Sequence, residues 1–240
     1  MAKRDRDATI NWNAPVRLIG IAIPAGGGPV RDVMESFGRN GISQVFANQQ
    51  INWEGENERL TLWFERFVRR ALRAFSQPEV IRFEIDGIVV DHVTDFLVER
   101  PGGSVRLGVK GVTGFAYAPW LSDKFRAITR AYAQAGLLFE PVTGVDLYRQ
   151  PLADCVDAIW RARRVRVEPE ARDEVLSALA SGPLLLGDLV AILGPGDPRR
   201  ALALHAEGAI TIDLNSGPIG DGSSVRLGST DLGSYTGPLP

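Results

Sequence analysis

The chain has 240 residues, of which 45% are hydrophobic and 23% charged, values typical of a folded globular protein. A net charge of −2 excludes a uniformly basic protein that coats DNA, although it leaves room for a local basic groove. The single cysteine excludes an intrachain disulfide and a multi-cysteine zinc site, and it fits a reducing compartment.

Residues 1–57 show no sustained period and are predicted to be an N-terminal extension. Within them, "GGGP" at 26–29 predicts a loop, and "PVRDVMESFGRNG", which ends at Gly41, predicts a short helix ended by glycine. The apolar stretch that begins at Leu18 is too short to cross a membrane, and its polar surroundings are not typical of a signal peptide. A cytoplasmic protein that does not associate with membranes is therefore expected.

The middle of the chain alternates between helical and strand patterns. An amphipathic helix is predicted from Leu60 until Pro78 stops it. Residues 80–111 are rich in β-branched and aromatic residues around two turns, so they predict three antiparallel strands. A helix ending at Gly136, a strand "LLFEPVT" and a helix "PLADCVDAIWRARR" follow. Residues 58–164 are therefore predicted to form an α/β domain.

The last part of the chain has a different pattern. Three short helices, each followed by glycine, precede two strands joined by "NSGPIGDG". This order predicts a small winged-helix domain over residues 165–228, with a flexible tail at 229–240. From Glu168 to the end there are ten acidic and four basic residues, a net charge of −6. Phosphate contacts need a positive surface, so this domain is expected to dock a protein rather than DNA.

A candidate chemical site lies in the predicted strands. Asp95 is surrounded by apolar residues, where an unpaired carboxylate is costly, and Lys110 ends the next strand. Two interpretations fit: a divalent-cation site in which the ammonium assists phosphate chemistry, or a salt bridge between strand ends. Glu65 lies at the margin of the apolar face of its helix, where it either points toward Asp95 or pairs with Arg69.

The stretch "FERFVRRALRAFSQPEV … HVTDFLVERPGGSVRLGVKG" resembles the nuclease domain of TnsA-like endonucleases, which are subunits of heteromeric cut-and-paste transposases. These belong to the PD-(D/E)xK superfamily of restriction-endonuclease-like folds. Glu65-Arg66 matches the family's "lEr", "PEV" at 78–80 its "dpdV", and "HVTDF" at 92–96 its "HtPDF". "GVK" at 108–110 stands in the place of "(E/Q)VK". The resemblance covers residues 58 to 228, with the predicted winged helix at its end.

The resemblance implies a role for each matched residue. Glu65 and Asp95 would hold Mg²⁺ (or Mn²⁺) together with the carbonyl of Val109, and Lys110 would position the attacking water. The implied reaction is hydrolysis of one strand of double-stranded DNA at the end of a mobile element. The implied partners are a transposase that cuts and joins the other strand, and an ATPase regulator.

Gly108 is the departure from the family pattern that matters, because it removes the third oxygen ligand. Mg²⁺ can replace a missing ligand with water. Since residues 108 and 110 share one face of a strand, Gly108→Glu is expected to raise cleavage. Three interpretations stay open: a cleavage subunit with a degenerate site, an inactive nuclease-fold protein used for DNA binding or transpososome assembly, and an unrelated two-domain protein.

Basic residues are candidates for binding DNA phosphates. If the nuclease-like domain forms the groove, five side chains are expected to line it: Arg66, Arg70, Lys124, Arg126 and Arg130. A further cluster, "RARRVR" at 161–166, is either a phosphate-binding segment or a solvated helix end whose arginines interact with the helix dipole.

Overall fold

The computed structural model describes residues 7–25, 29–30, 40–46, 49–111, 118–194 and 197–228. The predicted loop at 26–29 and helix at 30–41 lie mostly outside the described residues, and the predicted tail at 229–240 lies wholly outside them. The protein is of mixed α/β type. It divides into two compact units: unit 1 is Met1–Leu62 with Ala71–Leu147, and unit 2 is Trp63–Arg70 with Tyr148–Pro240.

Unit 1 is built mainly from strands. They are β1 (Val16–Ala22), β2 (Gly41–Ser43), β3 (Ile51–Trp53), β4 (Arg73–Ser76), β5 (Val80–Ile85), β6 (Ile88–Val93), β7 (Phe96–Arg100), β8 (Gly103–Lys110) and β9 (Leu138–Thr143). One sheet has the order β1-β5-β6, a second has the order β4-β7-β8-β9, and β2 pairs with β3. The β8–β9 pair is parallel and the other pairs are antiparallel.

The helices of unit 1 link and cover these sheets. Helix α1 (Glu56–Phe67) begins in unit 1, and its last residues belong to unit 2. Helix α2 (Leu121–Gln134) provides the crossover that a parallel β8–β9 pair requires. The short helix α3 (Gly144–Leu147) follows β9. The buried face of α2, with Ile128 and Tyr132, packs with Phe139 of β9 and the inward residues of β5 in one apolar core.

The predicted N-terminal extension contributes a strand to this core. Strand β1 pairs with β5, from Val16 opposite Ile85 to Ala22 opposite Val80. The predicted domain boundary at residue 57 is therefore wrong, because residues 16–22 are hydrogen-bonded into the first sheet of unit 1.

The first predicted helix is shorter than expected. It ends at Phe67, where Val68 N and Arg69 N both donate to Phe64 O, and Arg70 then adopts a positive φ of 61°. A positive φ at a non-glycine residue is incompatible with continuing a right-handed helix. The segment before Pro78, predicted as helix, is instead strand β4.

The predicted run of three strands is four strands in two sheets. The tight turn at Asp86–Gly87 is confirmed, since both residues have positive φ, 54° and 70°. After β6 the chain changes sheet at Thr94–Asp95, and β7 pairs with β8. Asp95 therefore lies at the change of sheet rather than inside a strand, as the sequence had suggested.

The elements of unit 2 are α4 (Leu152–Ala162), α5 (Pro169–Ala180), β10 (Leu184–Leu185), α6 (Leu186–Leu193), α7 (Arg199–Glu207), β11 (Ile210–Ile212) and β12 (Ser224–Leu227). The helices and the final two strands have the predicted order, whereas β10 was not predicted. Helix α4 belongs to unit 2, which differs from the predicted boundary at residue 164. The strands form a small antiparallel sheet in the order β10-β12-β11. Gly208, with φ 97°, ends α7 in the left-handed conformation, as its sequence position predicted.

Helix α7 is enclosed within unit 2. The six consecutive residues from Ala201 to Ala206 are all buried, and they cover every side of the helix. Its neighbours include α4, α6 and β11. Separately, none of the described helices combines the length and the hydropathy that crossing a bilayer requires.

Candidate functional site

Asp95 is held by backbone groups on both sides. Its N–H donates to Leu107 O at 3.1 Å, and its carbonyl accepts from Gln77 N at 2.9 Å. Its carboxylate oxygen Oδ2 accepts from Val109 N at 2.6 Å. The Asp95 carboxylate therefore accepts the hydrogen bond from β8 that a backbone carbonyl of the neighbouring strand would otherwise accept. This arrangement fixes the carboxylate at one position on the sheet.

Glu58, on the first half of α1, shares an electrostatic environment with Asp95. The pKa of Glu58 is raised to about 7, first by burial and next by the negative charge of Asp95. The positive charge of Lys110 acts in the opposite direction on the same carboxyl. Glu58, Asp95 and Lys110 are therefore close enough to influence one another, although they come from three separate elements. We call these three residues the Glu58 site.

Two further polar residues border the Glu58 site. Glu54 N donates to Glu58 Oε2 at 2.7 Å, and the Glu54 carboxylate accepts from Gln77 Nε2 at 2.9 Å. Gln77 is 2% exposed and has a positive φ of 45°. An unfavourable backbone conformation at a buried polar residue costs about 1–3 kcal/mol and needs surrounding contacts to hold it. Gln77 thus links Glu54 through its side chain to Asp95 through its backbone.

The sequence analysis assigned the helical carboxylate to Glu65 and missed Glu58. Glu65 is 2% exposed and lies in the Trp63–Arg70 segment of unit 2, whereas Asp95 and Lys110 belong to unit 1. A signal for Glu58 was available, because residues seven apart lie on almost the same face of an α-helix. Glu58, two turns before Glu65, therefore also lies at the margin of the apolar face.

Position 108 has no room for a ligand side chain. A Cβ added to Gly108 would lie 2.6 Å from Phe139 Cζ and 2.9 Å from Phe125 Cε1. Both rings belong to the apolar core of unit 1. The expectation that Gly108→Glu would supply a missing oxygen ligand is therefore wrong, because the side chain would enter this core.

The donor set of the Glu58 site is small. Within the ranges that the structure describes, three or more His, Cys, Asp or Glu side chains nowhere converge in a way that could hold a metal ion. Mg²⁺, however, commonly uses only one or two carboxylates and completes its shell with water and substrate phosphates. Glu58 and Asp95 fit this limited role. Val109, predicted to offer its carbonyl, is seen to engage Asp95 through its N–H.

Two of the arginines predicted to bind DNA cap a helix instead. Arg66 donates to Ala206 O at 3.3 Å and to Glu207 O at 3.1 Å, and Arg70 donates to His205 O at 2.9 Å. Burial lowers the pKa of both guanidinium groups. They neutralise the carbonyl end of α7, where a cation is favoured.

The other predicted DNA contacts are also used within unit 1. Lys124 Nζ lies 2.5 Å from Asp7 Oδ2 in a largely buried ion pair. Arg130 donates to the carbonyl oxygens of Trp12 at 2.8 Å and Ala14 at 3.0 Å. Arg126 is exposed and forms an ion pair with Asp123. Of these three cations, Arg126 is therefore the one most accessible to a phosphate.

His205 has a structural role within unit 2. It is 1% exposed, its Nδ1 accepts from Ile212 N at 3.0 Å, and its Nε2 lies 2.9 Å from Phe67 O. Because Nδ1 accepts, Nε2 carries the proton and donates. Burial, followed by the positive charge of Arg70, lowers the pKa of His205 to about 3. We call Arg66, Arg70 and His205, which together hold the end of α7, the α7 clasp.

Comparison with known proteins does not extend these observations. No protein-family model matches the chain, and no curated protein matches it.

Proposed function

We propose that this protein is a metal-dependent DNA endonuclease of the PD-(D/E)xK type, acting as the cleavage subunit of a heteromeric transposase. The observation that carries the proposal is the Glu58 site, where the charges of Asp95 and Lys110 both act on the partly buried carboxyl of Glu58. Neighbouring carboxylates repel each other, and a divalent cation bound to both relieves that repulsion. Shifted carboxyl groups of this kind are concentrated at functional sites.

The proposed roles follow from the side-chain chemistry. Glu58 and Asp95 would hold Mg²⁺ or Mn²⁺, and the bound ion would polarise a phosphate and favour ionisation of a water. The hydrogen bond from Val109 N keeps the Asp95 carboxylate in place. Lys110 would stabilise the negative charge that develops on the phosphate, or orient the water. Glu54 accepts from Gln77, and it would keep Glu58 in position through its own backbone N–H.

Unit 2 is proposed to be the winged-helix domain that the sequence predicts. The order helix, strand, helix, helix, strand, strand and the small antiparallel sheet support this assignment. In such a domain the third helix usually enters the major groove of DNA. Here that helix is α7, which is buried on all sides. We therefore assign the domain to contacts with a transposase partner or an ATPase regulator.

A second candidate function has an observation of its own in favour. Phe139 and Phe125 fill the space beside Gly108, so the third ligand of an active nuclease cannot come from that position. A nuclease-fold protein that retains its shape but has lost cleavage would serve as a DNA-binding or transpososome assembly factor.

The test is nicking of supercoiled plasmid by the full chain in Mg²⁺ or Mn²⁺, alongside the thermal shift that Mn²⁺ produces. Glu58→Gln and Asp95→Asn are each expected to lower nicking by at least about 100-fold, the scale of losing a group that stabilises transition-state charge. Both variants should also lose the Mn²⁺-induced stabilisation.

Glu65→Gln is the matched control, because it makes the same change two turns along the same helix. It should retain both nicking and the Mn²⁺ response. If Glu65→Gln abolishes cleavage and Glu58→Gln does not, the ligand is the one that the family resemblance implies. If the wild-type protein neither nicks DNA nor responds to Mn²⁺ while its binding to duplex DNA persists, the assembly factor is the correct assignment.

A further inference from the structure

The arginines at the end of α4 form an exposed basic segment in an otherwise acidic unit. Four of them fall within six residues, and we call this group the arginine segment: Arg161, Arg163, Arg164 and Arg166. The side chains of Arg161 and Arg166 are 77% and 83% exposed, and Arg164 is also exposed. Five residues of chain span at most about 17 Å, which corresponds to about five phosphates along one strand of a duplex.

Arg163 is held in place by an aromatic stack. Its guanidinium carbon lies 3.3 Å from the centre of the Trp160 ring, and its Nη1 donates to Trp160 O at 2.6 Å. Trp160 in turn stacks on Trp63, with ring centres 4.0 Å apart and an angle of 20° between the planes. An arginine fixed in this way loses less conformational entropy when it binds an anion than a free side chain does.

The backbone after α4 directs the next arginines outward. Val165 N donates to Ala162 O at 2.8 Å, which closes a turn at the helix end. Beyond the turn, Val165 is partly buried while Arg164 and Arg166 are exposed. Both arginines that flank Val165 are therefore available to solvent.

The charge of the segment is only partly balanced. Arg161 pairs with Asp157 and Arg166 with Glu168, both at exposed positions where a salt bridge contributes little. Neither Arg163 nor Arg164 has an acidic partner in the part of the chain that the structure describes. Burial, and next the positive charge of Arg164, lowers the pKa of Arg163.

Other arginines of unit 2 are used differently. Arg172 pairs with Glu207, Arg199 pairs with Asp197, and Arg200 donates to Leu193 O. A role limited to the dipole of α4 explains a cation in the last turn of that helix. It does not explain why Arg164 and Arg166 continue past the helix end, or why Arg163 is fixed on two stacked rings.

We propose that the arginine segment is a binding site for the sugar-phosphate backbone of duplex DNA. The site recognises phosphates without reading sequence, because guanidinium groups bind phosphate oxygens and no part of the segment resembles a groove-reading helix. The choice of DNA as the polyanion rests on the proposed nuclease function.

The experiment measures binding of the full chain to a fluorescent 30-base-pair duplex as a function of salt, in EDTA. Arg164→Glu/Arg166→Glu is expected to weaken binding at least tenfold. It should also lower the slope of log K against log salt by about 2, since each lost phosphate contact contributes about 0.9. Arg163→Lys, which keeps the charge but loses the planar stack, is expected to weaken binding about threefold.

The matched control is Arg172→Glu/Arg199→Glu, which reverses two exposed arginines of the same unit and should keep the wild-type slope. Equal losses in the two double variants, or no loss in either, would overturn the site. Tighter binding to an RNA duplex than to DNA would overturn the choice of polyanion. Because EDTA removes divalent ions, this binding measurement does not depend on a metal ion at the Glu58 site. A failed nicking assay with intact, arginine-dependent binding would thus count against the proposed cleavage alone.

Discussion

The α7 clasp and the Glu58 site are both clusters of ionisable residues, but their chemistry differs. In the α7 clasp, arginine donors meet helix carbonyls, and the His205 ring lies between one N–H donor and one carbonyl acceptor. In the Glu58 site, two carboxylates lie near each other and the pKa of Glu58 rises to about 7. Complementary partners indicate a structural role, whereas the proposed function uses the two like charges of the Glu58 site to hold a divalent cation.

The largest expected effect tests the structural half of this comparison. His205→Ala removes the partners of Ile212 N–H and Phe67 O and leaves a cavity, so the free energy of unfolding should fall by about 3–5 kcal/mol. Urea denaturation of the full chain provides the measurement. Glu58→Gln should cost less than about 1 kcal/mol or should stabilise the protein, because it removes a repulsive charge. An equal loss of unfolding free energy in both variants would contradict the difference between the α7 clasp and the Glu58 site.

A smaller effect on the free energy of unfolding is expected at Gly108, where the apolar core leaves no room for a ligand side chain. Gly108→Ala should lower the free energy of unfolding by about 1–3 kcal/mol, because the new methyl group would overlap Phe139 and Phe125. The control is Gly20→Ala on strand β1, where no atom lies within 4 Å of the added Cβ. That substitution should be neutral or slightly stabilising. A neutral Gly108→Ala, measured in the same urea titrations, would reopen position 108 to a ligand side chain.

Periodicity and turn chemistry were enough to predict most elements of unit 2. The helices from Pro169 onward, the glycine at 208 and the final hairpin are local features, determined by residues a few positions apart. The predictions failed where long-range pairing decides the structure. Residues 73–76 continue the apolar spacing of the predicted helix, but they form a strand that pairs with β7. Residues 16–22 show no evident hydrophobic period, but they form a strand that pairs with β5.

The Glu58 site was partly predictable, because one part of it depends on local patterns and the rest on long-range pairing. Asp95 and Lys110 are joined by one hairpin, so strand patterns were sufficient to bring them together. The choice between Glu58 and Glu65 depended on which end of α1 belongs with unit 1, and helical spacing cannot decide that. The obstruction at Gly108 depends on Phe139, which is brought beside it by the parallel pairing of β8 with β9.

The last expected effect, spread over several pH units, is the pH dependence that His205 imposes on unit 2. Its folded-state pKa is lowered to about 3 by burial and by Arg70, against an ordinary value of 6.5. As the pH falls below about 6.5, the unfolded chain takes up a proton on this residue while the folded chain does not. Stability should therefore be complete above that pH and fall by about 1.4 kcal/mol per pH unit down to about pH 3.

Carboxylates also titrate in this range, so the slope must be isolated by comparison. His205→Gln cannot take up the proton, and its stability should lose less than that of the wild type between pH 6.5 and pH 5, where carboxyl groups contribute least. Urea titrations of both proteins at closely spaced pH values provide the measurement. If the wild type and His205→Gln have parallel profiles, the folded protein takes up the proton on His205 as readily as the unfolded chain does, and Nδ1 is not held as the acceptor for Ile212 N–H.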